Sequence, residues 1–482
     1  MKRSVRIMAA GLAASLALVS CAKQDVIDNG SANPAGGART IAVSFANASV
    51  KSELNGFQPK FVAGDKIKVS NGTDAPVDCT VSIDGSGNAT ITTELTGTLT
   101  MVYPAAAAKM NGNAIEGILV STVQDGTFAS ANICKAEIAA GAVSATFENQ
   151  TAVLRFYVDA SIGVKSLKIE GTSNIATDGT IITVDPEGDV TLDSVTDGPD
   201  KRLCYVSVLS GVNANTLTLT SETTTQGTVT RPKPMADVEL AAGTMYNAFI
   251  PYYIKIKVDS PETYQKWAYC NVGAFLPEEY GDYFMWGAVE KAYSSVDVTK
   301  SEDAFTFGTK PASYEGKNTT WDASKGFNWE NAIYTDGVYS TSNKKVFTKY
   351  TGSKNTYAKS GTADGKTVLD LEDDAANVNW GGSWRMPTMA ELGALIAITN
   401  KAWDDDKKGY TFGVSPAQIF LPAAGIGEGT GIDSAGEYGY YRSSSLSTGS
   451  PYGAYALDFY DCLVDSFDYD RYNGLSVRPF SE

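Results

Sequence analysis

Histidine is absent from all 482 residues. No Ser-His-Asp or Cys-His couple can be assembled, no imidazole base, and no His-ligated zinc site. Carboxylate, lysine, tyrosine and cysteine chemistry stay open, but the commonest proton shuttle near neutral pH is missing. Cysteine is sparse. Beyond Cys21 there are Cys79, Cys134, Cys204, Cys270 and Cys462, spread singly, odd in number and without a CxxC pair. That is not a disulfide framework; small buried thiols are expected, with one bridge left open. No apolar run after the first twenty residues could cross a bilayer. Positive charge is outweighed, giving a formal net charge of −16, which repels nucleic acid. The length exceeds what one core supports, so several domains are expected.

The N-terminus reads as an address. Lys2, Arg3 and Arg6 precede an apolar stretch from Ile7 to Leu18, too short for a stable span. Leu18-Val19-Ser20-Cys21 resembles a bacterial lipobox, which implies that Cys21 carries the lipid after cleavage. Residues 21–39, rich in Gly, Ala, Asn and Asp, read as a tether.

From Thr40 the chain alternates apolar and polar residues, the period of a half-buried strand. Strands are expected at 40–45, 79–83, 90–93 and 99–103, with a turn entering another strand over 61–69, at about ten-residue spacing. A second series is expected from Ala145, through 153–158, 164–170, 181–184, 204–209, 217–220 and 247–254. Two all-β sandwiches follow, over 40–144 and 145–255. Phe61-x-x-Gly64-Asp65-x-Ile67 and Val102-Tyr103-Pro104, behind a lipobox and tether, resemble the fimbrillin-like (Mfa-like) lipoprotein pilins. The resemblance implies removal of the N-terminal segment after a basic residue and strand exchange with other pilin subunits. Arg39 and Lys51 are the candidate processing sites, and ordinary surface cations are the alternative.

The composition changes at Tyr264. Trp267-Ala268-Tyr269-Cys270-Asn271-Val272-Gly273-Ala274, Trp384-Arg385-Met386-Pro387-Thr388 and Ser476-Val477-Arg478-Pro479 resemble, in this order, the major paralogous domain of secreted bacterial proteins. This resemblance implies an α+β C-type-lectin-like domain over 256–482. Its terminal strands pair and long loops share one face. Thr388 and Glu391 form a capping-box pattern, with Leu392, Leu395 and Ile396 as the apolar face of the helix. Trp286, Trp380 and Trp384 read as core anchors, and Arg385 and Arg478 as ties between loops.

About half of residues 438–472 are Tyr, Ser or Asp. Such residues suit recognition: tyrosine brings contact area at low entropic loss, and its ring stacks on sugars. In the resembled family this segment is displayed and in some members diversified by a retroelement. The candidate ligand-binding residues are Tyr440, Tyr441, Arg442, Tyr452, Tyr455, Asp458, Tyr460, Asp461, Asp465, Asp468, Tyr469, Asp470 and Tyr472. Scattered, solvated acids are favoured over a calcium site at Asp461, Asp465, Asp468 and Asp470. The run Gly425 to Gly431 lacks the spacing and context of a phosphate cradle. Cys270 and Cys462 match the paired-cysteine idea of lectin-fold oxidases only in number.

The sequence reading is therefore a multidomain, non-enzymatic protein without metal or cofactor. Two sandwiches precede a lectin-like domain. The protein is read as a lipid-anchored adhesin precursor of the outer membrane and cell surface, placed at a fimbrium tip. Its ligand is a glycan or protein on host or neighbouring bacterial cells. The alternative is a free-standing glycan-binding lipoprotein of a nutrient-capture system.

Overall fold

A computed structural model describes residues 37–46, 59–159, 162–184, 201–259, 263–291, 293–294, 333–334, 346–347, 349–358, 361–428, 431–449, 451, 453–471 and 473–482. Cys21, Lys51, Tyr452 and Tyr472 lie outside them. The described chain is mostly β, arranged in several sheets with few and short helices.

The first sheet has eight strands and curls on itself. Its order is Val77–Thr80, Lys66–Ser70, Leu99–Tyr103, Cys134–Ile138, Ser144–Asn149, Arg39–Phe45, Ala89–Thr93 and Ser82–Ile83. Ile41 and Val43 are buried while their neighbours Thr40, Ala42 and Ser44 are not, so the period-two pattern does set the inward face. Ile41 and Ile91 from one half pack in one core with Ile67 and Met101 from the other.

The strand expected to open the second module at Ala145 closes the first one instead. Ser144–Asn149 pairs parallel with Arg39–Phe45 and antiparallel with Cys134–Ile138. Local periodicity finds a strand but not its partner, and this pairing bridges about a hundred residues. The chain enters the second sandwich at Thr151. Its sheets are Lys201–Leu209, Thr151–Asp159, Met245–Ala248, and Gly227–Thr230, Thr218–Thr223, Val164–Glu170, Ile181–Val184, Val123–Gln124.

The last strand of that second sheet comes from the first module. Residues 120–133 leave the first sheet, join the second sandwich, and return. Gln124 clamps the Ser207 main chain: its Nε2 donates to Ser207 O and its Oε1 accepts from Ser207 N, each at 2.9 Å. Gly126 (φ +79°) lies where a Cβ would stand 2.8 Å from Cys204 Sγ, so only glycine lets the crossover seat. Val120 and Ile133 share one core with Leu154, Phe156 and Leu167.

The expected strand 247–254 divides. Met245–Ala248 pairs with Thr151–Asp159, whereas Tyr253–Asp259 pairs with Thr263–Ala268 in the C-terminal part. Thr263–Ala268 also pairs with Phe480–Ser481, so the two ends of this part meet. The six-stranded sheet that follows runs Tyr293–Ser294, Asp282–Phe284, Leu475–Ser476, Gly439–Leu446, Gly453–Tyr460, Leu463–Asp470. The helix Met389–Ala397 carries the complete capping box of Thr388 and Glu391. Leu392 and Leu395 are buried beneath this sheet with Leu457, Phe459 and Tyr441. Arg385 forks onto Glu391 at 2.7 and 2.8 Å and reaches Glu482 at 3.0 Å.

Asp374 caps the helix Ala375–Trp380, accepting the amides of Ala376 at 2.9 Å, Asn377 at 3.0 Å and Met386 at 2.8 Å. It is enclosed, and burial pushes its carboxyl up to about 6 against the opposing pull of these amides.

Two outcomes follow from this packing. Gln124→Ala leaves the Ser207 amide and carbonyl without their partner, and should cost about 1–3 kcal/mol in urea unfolding. An unchanged midpoint contradicts the clamp. A raised folded-state pKa means Asp374 favours folding at low pH, an advantage lost as pH rises through about 6. This group should then contribute about 3 kcal/mol less at pH well above 6 than near pH 3. Asp374→Asn should flatten that part of the stability–pH profile, and a profile identical to wild type contradicts the assignment.

Candidate functional site

The last three strands of the six-stranded sheet form the candidate surface. Gly453–Tyr460 lies between Gly439–Leu446 and Leu463–Asp470, joined to the latter by Asp461-Cys462. Register assigns the faces. Tyr440 stands opposite Asp458, and Asp458 opposite Asp465. Ala456 stands opposite Phe467, Ala454 opposite Tyr469, and Tyr460 opposite Leu463. These residues share the outer face. Tyr441, Leu457 and Phe459 point the other way, into the core over the helix Met389–Ala397.

The outer face carries a row of rings. Tyr460 and Tyr438 have centroids 5.3 Å apart, Tyr438 and Tyr440 are stacked at 6.1 Å, and Tyr440 meets Tyr469 edge-on at 5.2 Å. All four tyrosines are half-buried. Tyr469 donates its hydroxyl to Asp458 at 2.6 Å. Burial and that carboxylate together push the Tyr469 hydroxyl above its ordinary range. Asp461, Asp465, Leu463 (44% exposed) and Phe467 (62% exposed) complete the outer edge. The only cation in the three strands is Arg442, and it is buried. The face is therefore aromatic and acidic, on a sheet held rigid from below.

The structure divides the expected contact residues. Tyr440, Asp458, Tyr460, Asp461, Asp465 and Tyr469 come together. Tyr441 is 1% exposed, with its hydroxyl on Pro422 O at 2.7 Å, and belongs to the core. Arg442 is 0% exposed and also leaves the contact set. Its guanidinium donates to the carbonyls of Ala454, Tyr469, Asp470 and Asn473 at 2.8–3.4 Å. Ala454 and Ala456 are small enough to let it lie under the face, and burial pushes it down to about 9. Tyr455, Asp468 and Asp470 fall on the opposite side of the sheet by the same alternation. Sequence reasoning missed Tyr438, Leu463 and Phe467. Tyr438 keeps the parity of Tyr440, and Phe467 that of Asp465 and Tyr469, so strand period alone could have found them.

Other candidate chemistry dissolves on inspection of its partners. Alternation sends Asp465 to one face and Asp468 and Asp470 to the other. The carboxylates that do converge, Asp370, Glu372 and Asp373, surround Lys349 Nζ at 2.5–3.1 Å, so a lysine already occupies their centre. Gly425 (φ +71°) begins the hairpin Ile426–Glu428 and Gly431–Asp433; a Cβ there would meet Asp433 O at 2.3 Å. That glycine serves a tight backbone approach. Cys270 is enclosed, its thiol donates to Ala274 O at 3.3 Å, and burial pushes it well above the ordinary thiol value. Cys462 is exposed on the hairpin turn. One thiol is thus enclosed and the other lies at the surface. A cleft of about 350 Å³ between the second sandwich and the C-terminal part is lined by Arg231, Met235, Phe249, Phe275 and Trp380. Arg231 spends its donors on the carbonyls of Lys233 and Phe249.

Arg442→Ala removes four hydrogen bonds from beneath the face, and should cost at least about 1–3 kcal/mol in denaturant unfolding. Arg442→Lys keeps a charge but not the planar fork, and should recover less than half of that loss. Full recovery with lysine contradicts the forked role.

No protein-family model matches this chain, and no curated protein does. Among solved structures, the chain is similar to a candidate cell adhesion protein from Bacteroides ovatus at 14% identity. That match covers 48% of this chain and 96% of the other, with a TM-score of 0.26. A candidate cell adhesion protein from Bacteroides uniformis is similar at 14% identity over 45% and 93% of the two chains, with a TM-score of 0.27. The C-terminally truncated tip fimbrial protein Mfa3 from Porphyromonas gingivalis is similar at 10% identity over 48% and 98%, with a TM-score of 0.20.

Proposed function

We propose that this protein is a cell-surface adhesin whose contact surface is the outer face of the C-terminal sheet. The observation that carries this is the row Tyr460, Tyr438, Tyr440 and Tyr469 beside Asp458, Asp461 and Asp465. Rings anchored on strands lose little entropy on contact, and carboxylates rank among the strongest hydrogen-bond acceptors.

The adhesin is proposed to be a lipid-anchored precursor through Cys21, and a fimbrial tip subunit in its assembled form. Its two sandwiches are the stalk and the C-terminal part is the lectin-like binding head. One feature of the first sheet favours assembly by strand exchange. Arg39–Phe45 is hydrogen-bonded on both sides, to Ser144–Asn149 and to Ala89–Thr93. A cut after Lys51 followed by its release would leave a slot that another subunit's strand fits. A cut after Arg39 would leave the strand in place.

The test uses the full chain on arrays of glycans and bacterial and host surface proteins. The triple variant Tyr438→Ala, Tyr440→Ala, Tyr460→Ala should keep its circular dichroism spectrum and lose at least about tenfold in affinity for the ligand found. Undiminished binding refutes the face. Immuno-electron microscopy should find the protein at pilus ends. Labelling along whole shafts contradicts the tip placement, and polysaccharide binding without any pilin association favours the nutrient-capture lipoprotein.

A further inference from the structure

We infer that the partner of this face is a polypeptide, docking as an added strand along Leu463–Asp470 through a segment with Lys or Arg opposite Asp465 and Asp468 and aliphatic residues opposite Leu463 and Phe467. The inference rests on the adhesin reading and names the chemistry of its ligand.

Leu463–Asp470 is the terminal strand of its sheet, and no strand pairs with its outer edge among the described residues. The hairpin has a two-residue turn, with Tyr460 paired to Leu463. That closing pair exchanges main-chain bonds, as do alternate pairs after it. The amides and carbonyls of Val464, Ser466 and Asp468 therefore face outward. Consistent with this, the Ser466 amide is met by its neighbour's carboxylate, Asp465, at 2.7 Å.

Exposed edges are ordinarily blunted by lysine, proline, a bulge or shortness. This edge has none of these. It is eight residues long, keeps unbroken register, and exposes Leu463 and Phe467. Its protection is acidic: Asp461, Asp465, Asp468 and Asp470 lie along it with no exposed cation in the strand. Two such edges repel one another, and the chain as a whole carries −16, so a second copy is disfavoured. The same charges attract a cationic strand.

Register specifies the segment. Asp465 presents on the outer face and Asp468 on the other, so an antiparallel partner places one cation over each side of the ladder. Apolar residues fall opposite Leu463 and Phe467. A neutral glycan would use the rings and carboxylate hydrogen bonds but would gain nothing from the net charge of the edge or from a continuous main-chain ladder.

The probe is a synthetic peptide with lysines opposite Asp465 and Asp468 and valines opposite Leu463 and Phe467, titrated into the full chain by fluorescence anisotropy. It should bind at least about tenfold tighter than the same peptide with glutamates for lysines, and weaken as salt rises. N-methylation of its ladder-facing amides should abolish binding. The exposed double variant Asp465→Lys, Asp468→Lys should reverse the preference. Equal binding of the two peptides, indifference to N-methylation, or an unchanged preference in the double variant overturns the inference. If tyrosine-dependent binding to an array ligand persists while the lysine peptide fails, the adhesin reading stands and this inference falls. If the peptide binds at the edge while the tyrosine variant keeps every array ligand, the reverse holds.

Discussion

The proposed contact face depends on buried guanidinium groups that meet carbonyls rather than carboxylates among the described residues. Arg442 lies beneath the tyrosine row and holds the carbonyls of Ala454, Tyr469, Asp470 and Asn473 in one fork. Arg478 performs the same service elsewhere in the C-terminal part. Its Nε meets Asn271 at 2.8 Å, and its other nitrogens reach the carbonyls of Ala268, Tyr269 and Phe420 at 2.8–3.0 Å. Arg471 is sandwiched between Trp286 and Phe347, its carbon centre 4.6 and 4.2 Å from the ring centroids. A planar cation can bind several carbonyls at once, which a lysine cannot. Each arginine ties main-chain segments distant in sequence, and burial lowers the pKa of all three. The framework is positive and inward, and the surface it presents is negative.

Packing ties this part to the rest of the described chain. Phe249 of the second sandwich packs against Trp380 at 5.0 Å, Tyr157 stacks on Phe275 at 5.5 Å, and Lys233 donates to Val378 O at 2.5 Å. The first and second sandwiches are tied in turn by the crossover through Gln124 and Gly126. A binding face carried on coupled units loses less entropy on docking than one on a loop.

Strand positions and the capping box of Thr388 were legible in the sequence because both depend on near neighbours. Trp286, Trp380 and Trp384 were legible as core because large apolar side chains are costly to leave in water, and all three are buried. Partnership was not legible. The pairing of Ser144–Asn149 with Arg39–Phe45, and the loan of Val123–Gln124 to the second sandwich, involve residues too distant for any local pattern. At the site, Tyr440 and Tyr441 are separable by parity alone. Arg442 shares the parity of Tyr440 and is nevertheless buried. Only the small side chains of Ala454 and Ala456 on the next strand, and the carbonyls beyond them, explain this.

The central claim is that ligand meets the chain on the outer face of its last three strands. Amide hydrogen exchange of the full chain, with and without the array-identified ligand, tests it most directly. The account predicts slowed exchange confined to Gly439–Leu446, Gly453–Tyr460 and Leu463–Asp470. Slowing confined to the cleft around Phe249, Phe275 and Trp380, with the last three strands unchanged, would contradict it.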